Sequence, residues 1–339
     1  MRSVESLHNH TTLSDGTLSH RELFDLAESL GISVLAFTDH DAVPPQTILA
    51  EIETLRGRDT KWVIGIELTT DLPRELAPNS AAVHIIGLFV DPQNEALLKH
   101  CERAQKSRIK RMRQIVEGLQ GLGFIITAED CLAVSGGESI GRPHIVEALK
   151  KRTENNMVME KLRIEMRTVA EHDSKVKEQY DNMIQKGEQQ YPYMLFLSDD
   201  AFRSVYFDHD YMPDLDLGVS LVRGAGGIAI LAHYHTVRSK IPMDMIEKLL
   251  AEKRIDGVET IYGFHEYETD AKDLIDTERQ ALSDLAKKYG AVISGGADTH
   301  KKEDLESYIE NDWYSGESAG FTANILERVG ASKRFSSPN

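Results

Sequence analysis

The sequence predicts an α/β fold of the barrel-like kind, interrupted by a helical insertion. Three observations predict it. Short apolar runs alternate with amphipathic stretches at helical spacing. Those runs keep ending at His, Asp or Glu, and in α/β barrels the chemistry collects at the carboxyl ends of strands. The alternation then stops in the middle of the chain, where charged helical segments take over.

The first helix is announced by a capping box. Ser19 stands at the N-cap with Glu22 three residues on, then Leu23, Leu26, Ala27 and Leu30 recur at helical spacing, and Gly31 ends the helix. Residues 32–38 read as a strand running into Asp39-His40-Asp41. Residues 62–66 read as a second strand, ending at Glu67, and 83–90 as a third, with His84 near its start. Late in the chain, residues 227–232 lead to His233, Gly257-Val258 to Glu259, and 291–294 to Gly295-Gly296-Ala297-Asp298-Thr299-His300. One polar strand end is unremarkable, but so many form a pattern.

Between these halves, residues 95–120 are helical in character and carry Arg103, Lys106, Arg108, Lys110, Arg111 and Arg113. Such a run reads as a solvated helix face, with a polyphosphate or oligonucleotide contact as the other reading. From about 155 to 190, Met159, Leu162, Met166, Val169, Val176, Tyr180 and Met183 follow a heptad-like stripe broken at Asp173. The stripe suits a packed helical hairpin or a homodimer contact. The domain boundaries expected are 1–100 with 221–335 for the metal-binding barrel and 101–220 for the helical insertion.

Composition narrows the class. Of 339 residues, 39 are Lys or Arg and 55 Asp or Glu, a formal charge of −16. An acidic chain is a poor general partner for nucleic acid. The two cysteines, Cys101 and Cys131, have neither zinc-pair spacing nor the number for a disulfide framework. No stretch reads as a signal peptide or approaches the ~18 apolar residues of a membrane span. A cytoplasmic protein without membrane contact is expected.

The polar strand ends together suggest metal chemistry. His8 and His10 on an extended segment would face one side and could chelate one ion. His8, His10, Asp15, His40, Glu67, His84, His233, Asp298 and His300 offer nitrogen and oxygen donors without thiolate. That set suits Zn, Mn, Fe or Ni rather than a sulfur-rich structural zinc. Nine donors are too many for one tetrahedral ion and suit two or three divalent ions sharing ligands. Three such ions against Asp15, Glu67, Asp298 and a hydroxide would leave a charge of about +2, attractive to a phosphate dianion.

In this order and spacing the residues resemble the PHP family, named for polymerase and histidinol phosphatase domains. The matching pieces are Leu7-His8-Asn9-His10, Phe37-Thr38-Asp39-His40-Asp41, Gly65-Ile66-Glu67, His84-Ile85-Ile86-Gly87, Gly141-Arg142-Pro143-His144, Leu231-Ala232-His233, Gly257-Val258-Glu259 and residues 295–300. They span most of the chain, and it is the set that is specific. The resemblance implies a distorted (β/α)7 barrel with a mainly helical insertion. It implies a first ion on His8, His10, Glu67 and Asp298, a second on Glu67, His84 and His233, and a third on Asp15, His40 and His300. It places Arg142 and His144 at the substrate phosphate. Ser6, where similar proteins often carry Asp, Tyr234, where Pro is common, and the loop after Glu259 depart from the pattern and put substrate specificity in question.

The expected function is hydrolysis of a small phosphomonoester, with a nucleotide or nucleoside bisphosphate first in line, by metal-activated hydroxide. Arg142, His144 and Asp298 are the expected catalytic residues. Arg142, His144, Glu259 and His265 are the expected substrate contacts, with His144 or His265 as proton donor to the leaving group. The rivals are a phosphodiesterase trimming short oligonucleotides, an amidohydrolase acting on C–N bonds, and a non-enzymatic module with a relic metal site.

Overall fold

The computed structural model describes residues 4–77, 82–135, 139–263, 272–311 and 318–329. They form two compact units, residues 1–104 with 212–339 and residues 105–211.

The first unit is an α/β unit built on a seven-stranded sheet in sequential order. Its strands are β1 (Val4–Ser6), β2 (Ile32–Phe37), β3 (Lys61–Asp71), β4 (Ala82–Leu88), β5 (Ile228–Leu231), β6 (Gly257–Ile261) and β7 (Val292–Gly295). All neighbours pair in parallel except β4, which runs antiparallel to both β3 and β5. This direction explains the sequence pattern: β4 begins where β3 ends, so His84, paired with Thr69, arrives at the same edge as the carboxyl ends of the other strands.

One strand expectation needs correction. Glu67 does not end its strand; β3 continues to Asp71, held by the β4 ladder. Among the described residues no ladder pairs β7 with β1, so strand pairing leaves the sheet open there. Beyond those two strands the chain still meets itself. Leu7 N donates to Gly295 O at 2.9 Å, Asp298 N to His8 O at 3.0 Å, and Asn9 and Thr299 form an isolated bridge.

Helix α1 (His20–Ser29) starts as its sequence requires. The Ser19 side chain accepts from Glu22 N while the Glu22 carboxylate accepts from Ser19 N. Leu23, Phe24 and Ala27 are buried on its inner face. Helices α2 (Gln46–Glu53), α8 (Leu215–Gly224), α9 (Met243–Ala251), α10 (Lys272–Tyr289), α11 (Lys302–Glu310) and α12 (Phe321–Val329) complete this unit. Phe37, Ile66, Ile86, Leu231, Val258 and Val292 belong to its core.

The chain enters the second unit within helix α3 (Glu95–Gly121). There α4 (Ala128–Ser135), α5 (Arg142–Lys150), α6 (Asn155–Ala170), α7 (Ser174–Lys186) and a π-helical turn at Tyr193–Leu197 surround a separate core of Met112, Leu119, Phe124, Phe196 and their neighbours. The apolar stripe divides between α6 and α7, and Leu162, Met166 and Met183 are buried in this core. Asp173 breaks the stripe because it is the N-cap of α7, accepting from Lys175 N and Val176 N. Cys131 is fully buried, and burial beside Asp130 and Glu129 pushes its thiol up to about 12. Among the described residues no helix is long and apolar enough to cross a membrane.

Candidate metal centre

The segment after β1 presents His8 and His10 to one side because Asn9 is locked to the other. The Asn9 amide donates to Ser6 O and Ala36 O, both at 2.9 Å. Its oxygen accepts from Ser6 Oγ at 2.8 Å and Thr299 Oγ1 at 2.9 Å. All four hydrogen-bonding positions of the amide are used, so the alternation of an extended chain becomes a fixed orientation. The segment after β7 approaches His8 so closely that a Cβ on Gly296 would lie 2.3 Å from His8 N. Gly16 lets the next turn fold back in the same way, since a Cβ there would lie 2.4 Å from His10 O.

His40 follows β2, Glu67 lies in β3, His84 in β4, His233 follows β5, and Asp298 and His300 follow β7. His233 and Asp298 have positive φ, 21° and 49°, a region sparsely used by residues other than glycine. Strained backbone at two converging side chains is a mark of a functional site.

The donor atoms converge closely. His8 Nε2 and His10 Nε2 are 3.2 Å apart. Glu67 Oε2 lies 3.4 Å from the first and 3.2 Å from the second, and Asp298 Oδ1 lies 3.3 and 3.1 Å from them. Two ligands ~2.0–2.1 Å from one tetrahedral ion stand about 3.4 Å apart, so these four donors have the spacing of a coordination shell. The other oxygen, Glu67 Oε1, lies 2.8 Å from His84 Nδ1 and 3.0 Å from His233 Nε2. Asp15 reaches His10 and His40 at 3.8 Å and His300 at 3.6 Å. Four overlapping groups of metal-capable donors result: His8/His10/Glu67, His8/His233/Asp298, His40/Glu67/His84, and His10/Asp15/His40/His300. Although buried, Glu67 Oε2 and His40 Nδ1, 2.9 Å apart, make no well-formed hydrogen bond. A donor set of imidazole and carboxylate with this spacing fits divalent ions.

Burial and charge oppose each other here. Burial would lower the His8 imidazole, but the carboxylates of Asp298, Glu259 and Glu67 hold it well above its ordinary value. The same contest leaves His10 raised to about 10 and His233 to about 9. Burial prevails at His84, which is lowered despite Glu67. Burial would raise Glu67 and Asp298, yet the surrounding imidazoles hold both well below the carboxylate range. Protons therefore occupy, in the metal-free cluster, nitrogens that a divalent ion would otherwise take.

Residues around the donors orient them. Glu259 is 1% exposed; its oxygens lie 3.2 and 3.3 Å from His8 Nδ1, and Oε2 also accepts from His233 N at 2.9 Å. The sequence reading places Glu259 with the substrate, whereas in the structure it sits behind His8. A carboxylate on the far nitrogen of a ligating His fixes its tautomer and raises its basicity. Sequence reasoning missed Asp39, whose oxygens accept from Thr11 N, Thr11 Oγ1 and Ser14 Oγ at 2.7–2.8 Å. These bonds brace the turn that carries Asp15; the only signal was its place beside His40. Thr236 Oγ1 lies 2.9 Å from His233 Nδ1, and His300 Nδ1 lies 3.0 Å from Asp298 O. Ser6 binds Asn9 and accepts from Ala297 N at 3.0 Å, so its effect reaches the centre through Asn9.

A PHP domain profile matches residues 6–294. The chain belongs to the PHP domain family. A 3',5'-nucleoside bisphosphate phosphatase from Chromobacterium violaceum is 25% identical over 312 residues, covering 91% of this chain and 94% of that protein. A 5'-3' exoribonuclease from Haemophilus influenzae is 25% identical over 307 residues, covering 88% and 91%. In fold, the chain is similar to a solved Bifidobacterium adolescentis protein assigned to the metal-dependent phosphoesterases, with a TM-score of 0.64, 23% identity, and coverage of 97% and 98%.

Two further candidates of this PHP protein belong to the helical unit. Arg142 and His144 open α5 in the helical unit, with Pro143 in its first turn. His144 Nδ1 accepts from Gly141 N at 2.9 Å, which leaves Nε2 as the protonated nitrogen of a neutral ring. His265 lies outside the described residues.

Proposed function

We propose that this protein hydrolyses a small phosphomonoester, with a nucleotide or nucleoside bisphosphate as the first substrate class, at a centre of two or three divalent ions. The enzyme is a metal-dependent phosphoric ester hydrolase. The observation that carries the reading is the 3.1–3.4 Å spacing among His8, His10, Glu67 and Asp298. Those four would hold one ion, Glu67 with His84 and His233 a second, and Asp15 with His40 and His300 a third. Mn, Zn or Fe all accept such donors. Bound ions would supply an acidic water at neutral pH and positive charge for phosphate oxygens.

The chain's own residues do the rest. His8, His10 and Glu67 form a buried floor, while His40, His84 and His300 have side chains 15%, 28% and 32% exposed. The substrate therefore approaches from the side of the last three. Asp298 takes part both as ligand and as part of the reacting centre. Arg142 offers its planar fork to phosphate oxygens. His144 can donate a proton from Nε2 to the departing oxygen. The segments beyond β1 and β7 meet at Asn9 and Thr299, which supports reading the sheet as a distorted barrel.

The test is phosphate release by the full chain from AMP, adenosine 3',5'-bisphosphate and a short 5'-phosphorylated RNA, each with Mn, Zn or Fe restored after chelation. Release from the mononucleotides is expected. Attack on the RNA alone would favour the exonuclease reading, and no release with any metal would overturn the assignment.

A further inference from the structure

His10 stands between two of the donor groups, the one with His8 and Glu67 and the one with Asp15, His40 and His300. Its Nε2 lies 3.2 Å from Glu67 Oε2 and 3.1 Å from Asp298 Oδ1, and its Nδ1 lies 3.8 Å from Asp15 Oδ1. One imidazole cannot serve both ions and keep a proton. A further neighbour decides between them. Ser14 Oγ lies 3.4 Å from His10 Nδ1, at the long end of hydrogen bonding.

A hydroxyl has one proton to give. Ser14 gives it to Asp39 Oδ1 at 2.7 Å, the length of a strong bond to an ionised oxygen. Toward His10 the hydroxyl oxygen can then only accept, so the proton between the two side chains belongs to the ring. Asp39 is held in place for this. Its Oδ1 also accepts from Thr11 N and its Oδ2 from Thr11 Oγ1, both at 2.8 Å. The His20 ring, with Nε2 3.5 Å from Oδ2, is lowered from its ordinary value by burial and brings no cation to Asp39 at neutral pH. His10, Thr11, Ser14 and Asp39 are all buried, away from competing water.

The same proton count holds at neighbouring rings. Thr236 Oγ1 donates to His233 O at 3.0 Å, so it accepts from His233 Nδ1 at 2.9 Å. His300 Nδ1 faces the carbonyl oxygen of Asp298, which only accepts. At His8 the acceptor is the Glu259 carboxylate itself. At His10 the carboxylate stands one step further back, behind a hydroxyl.

We propose, on the metal-centre reading, that Ser14 held by Asp39 is a positioning residue: it accepts the Nδ1 proton of His10 and commits that imidazole to the first ion through Nε2. The third ion is then left to Asp15, His40 and His300. The Asp39 charge, passed through the hydroxyl, raises the basicity of Nε2 as Glu259 does for His8.

The test uses the full chain, with Thr11 as the control. Thr11→Val removes a hydroxyl bond to Asp39 from the same turn but leaves the contact of Ser14 with His10. In zinc titrations after chelation, Ser14→Ala should lose about tenfold in affinity at one step, while Thr11→Val loses no more than about threefold at any. Equal affinities in wild type and Ser14→Ala, or equal losses in the two variants, overturn the proposal, because a mere turn brace would treat both hydroxyls alike. A second measurement needs no variant. Nitrogen NMR of zinc-loaded wild type with isotope-labelled histidine should show His10 protonated at Nδ1 and zinc-bound at Nε2, and a zinc-bound Nδ1 overturns the proposal. Zinc uptake without hydrolysis of any phosphoester would sink the phosphoesterase reading alone. No zinc uptake by wild type would sink both.

Discussion

The two units of this protein bury charge in opposite ways. In the sheet unit, Glu67 and Asp298 lie among imidazoles within 3.4 Å, and each sign offsets the other. In the helical unit, Arg111 and Arg142 share a tyrosine, with no carboxylate within salt-bridge distance among the described residues. The first arrangement can stand without a ligand because its protons take the place of cations. The second rests on aromatic faces, and burial holds the Arg111 guanidinium down to about 10 although Tyr206 and Asp208 attract it.

The sharpest way to break the comparison is to remove the carboxylate that joins the imidazoles. Glu67 reaches His8, His10 and His40 through one oxygen and His84 and His233 through the other. Glu67→Gln should lower kcat by at least about a thousandfold, above the ~10²–10³ typical of one lost preorganised donor. A variant within tenfold of wild type in a phosphate-release assay would remove Glu67 from the centre. Glu259→Gln acts one step further out, through His8. It should weaken metal affinity by ~10–100-fold while leaving the loaded enzyme more active than Glu67→Gln. Metal titration checks this, and unchanged affinity would mean that Glu259 does not tune His8.

The pH dependence separates a proton-filled cluster from a metal-filled one. His10 and His233 are raised from 6.5 to about 10 and about 9, so the stability they lend is fully present below 6.5 and lost as pH rises through those values. Glu67 is depressed, so its contribution is present above 4.5 and lost on acidification. The melting temperature of the metal-free chain should therefore fall between pH 7 and 10, while metal uptake should release protons and strengthen as pH rises. A metal-free chain that gains stability over that range would contradict the placement of these protons. The smallest effect concerns the helical unit's frame. Asp173→Ala should cost about 1 kcal/mol by removing the N-cap of α7, read by denaturant unfolding, with little change in metal content.

Much of the donor cluster was legible in the sequence: His40, His233, Asp298 and His300 follow apolar runs, His8 and His10 stand two apart on an extended segment, and His84 lies near the start of an apolar run. Ser19 with Glu22 marked the first helix. What was not legible depends on pairing. The antiparallel course of β4, which brings His84 in from its amino end, comes from its ladders with β3 and β5. Every residue of β6 is buried, so no alternation of polarity could reveal that Glu259 turns behind His8. The burial of Arg108 and Arg111 was hidden for the same reason: a helical run of cations reads as a solvated face until a neighbouring segment covers it.

The most direct test of the central claim is the metal content per chain of wild type and Glu67→Gln after equilibration with manganese or zinc. A polynuclear centre sharing Glu67 predicts two or more ions in wild type and a loss of more than one in the variant. One ion or none in wild type, or equal content in the two proteins, would contradict it.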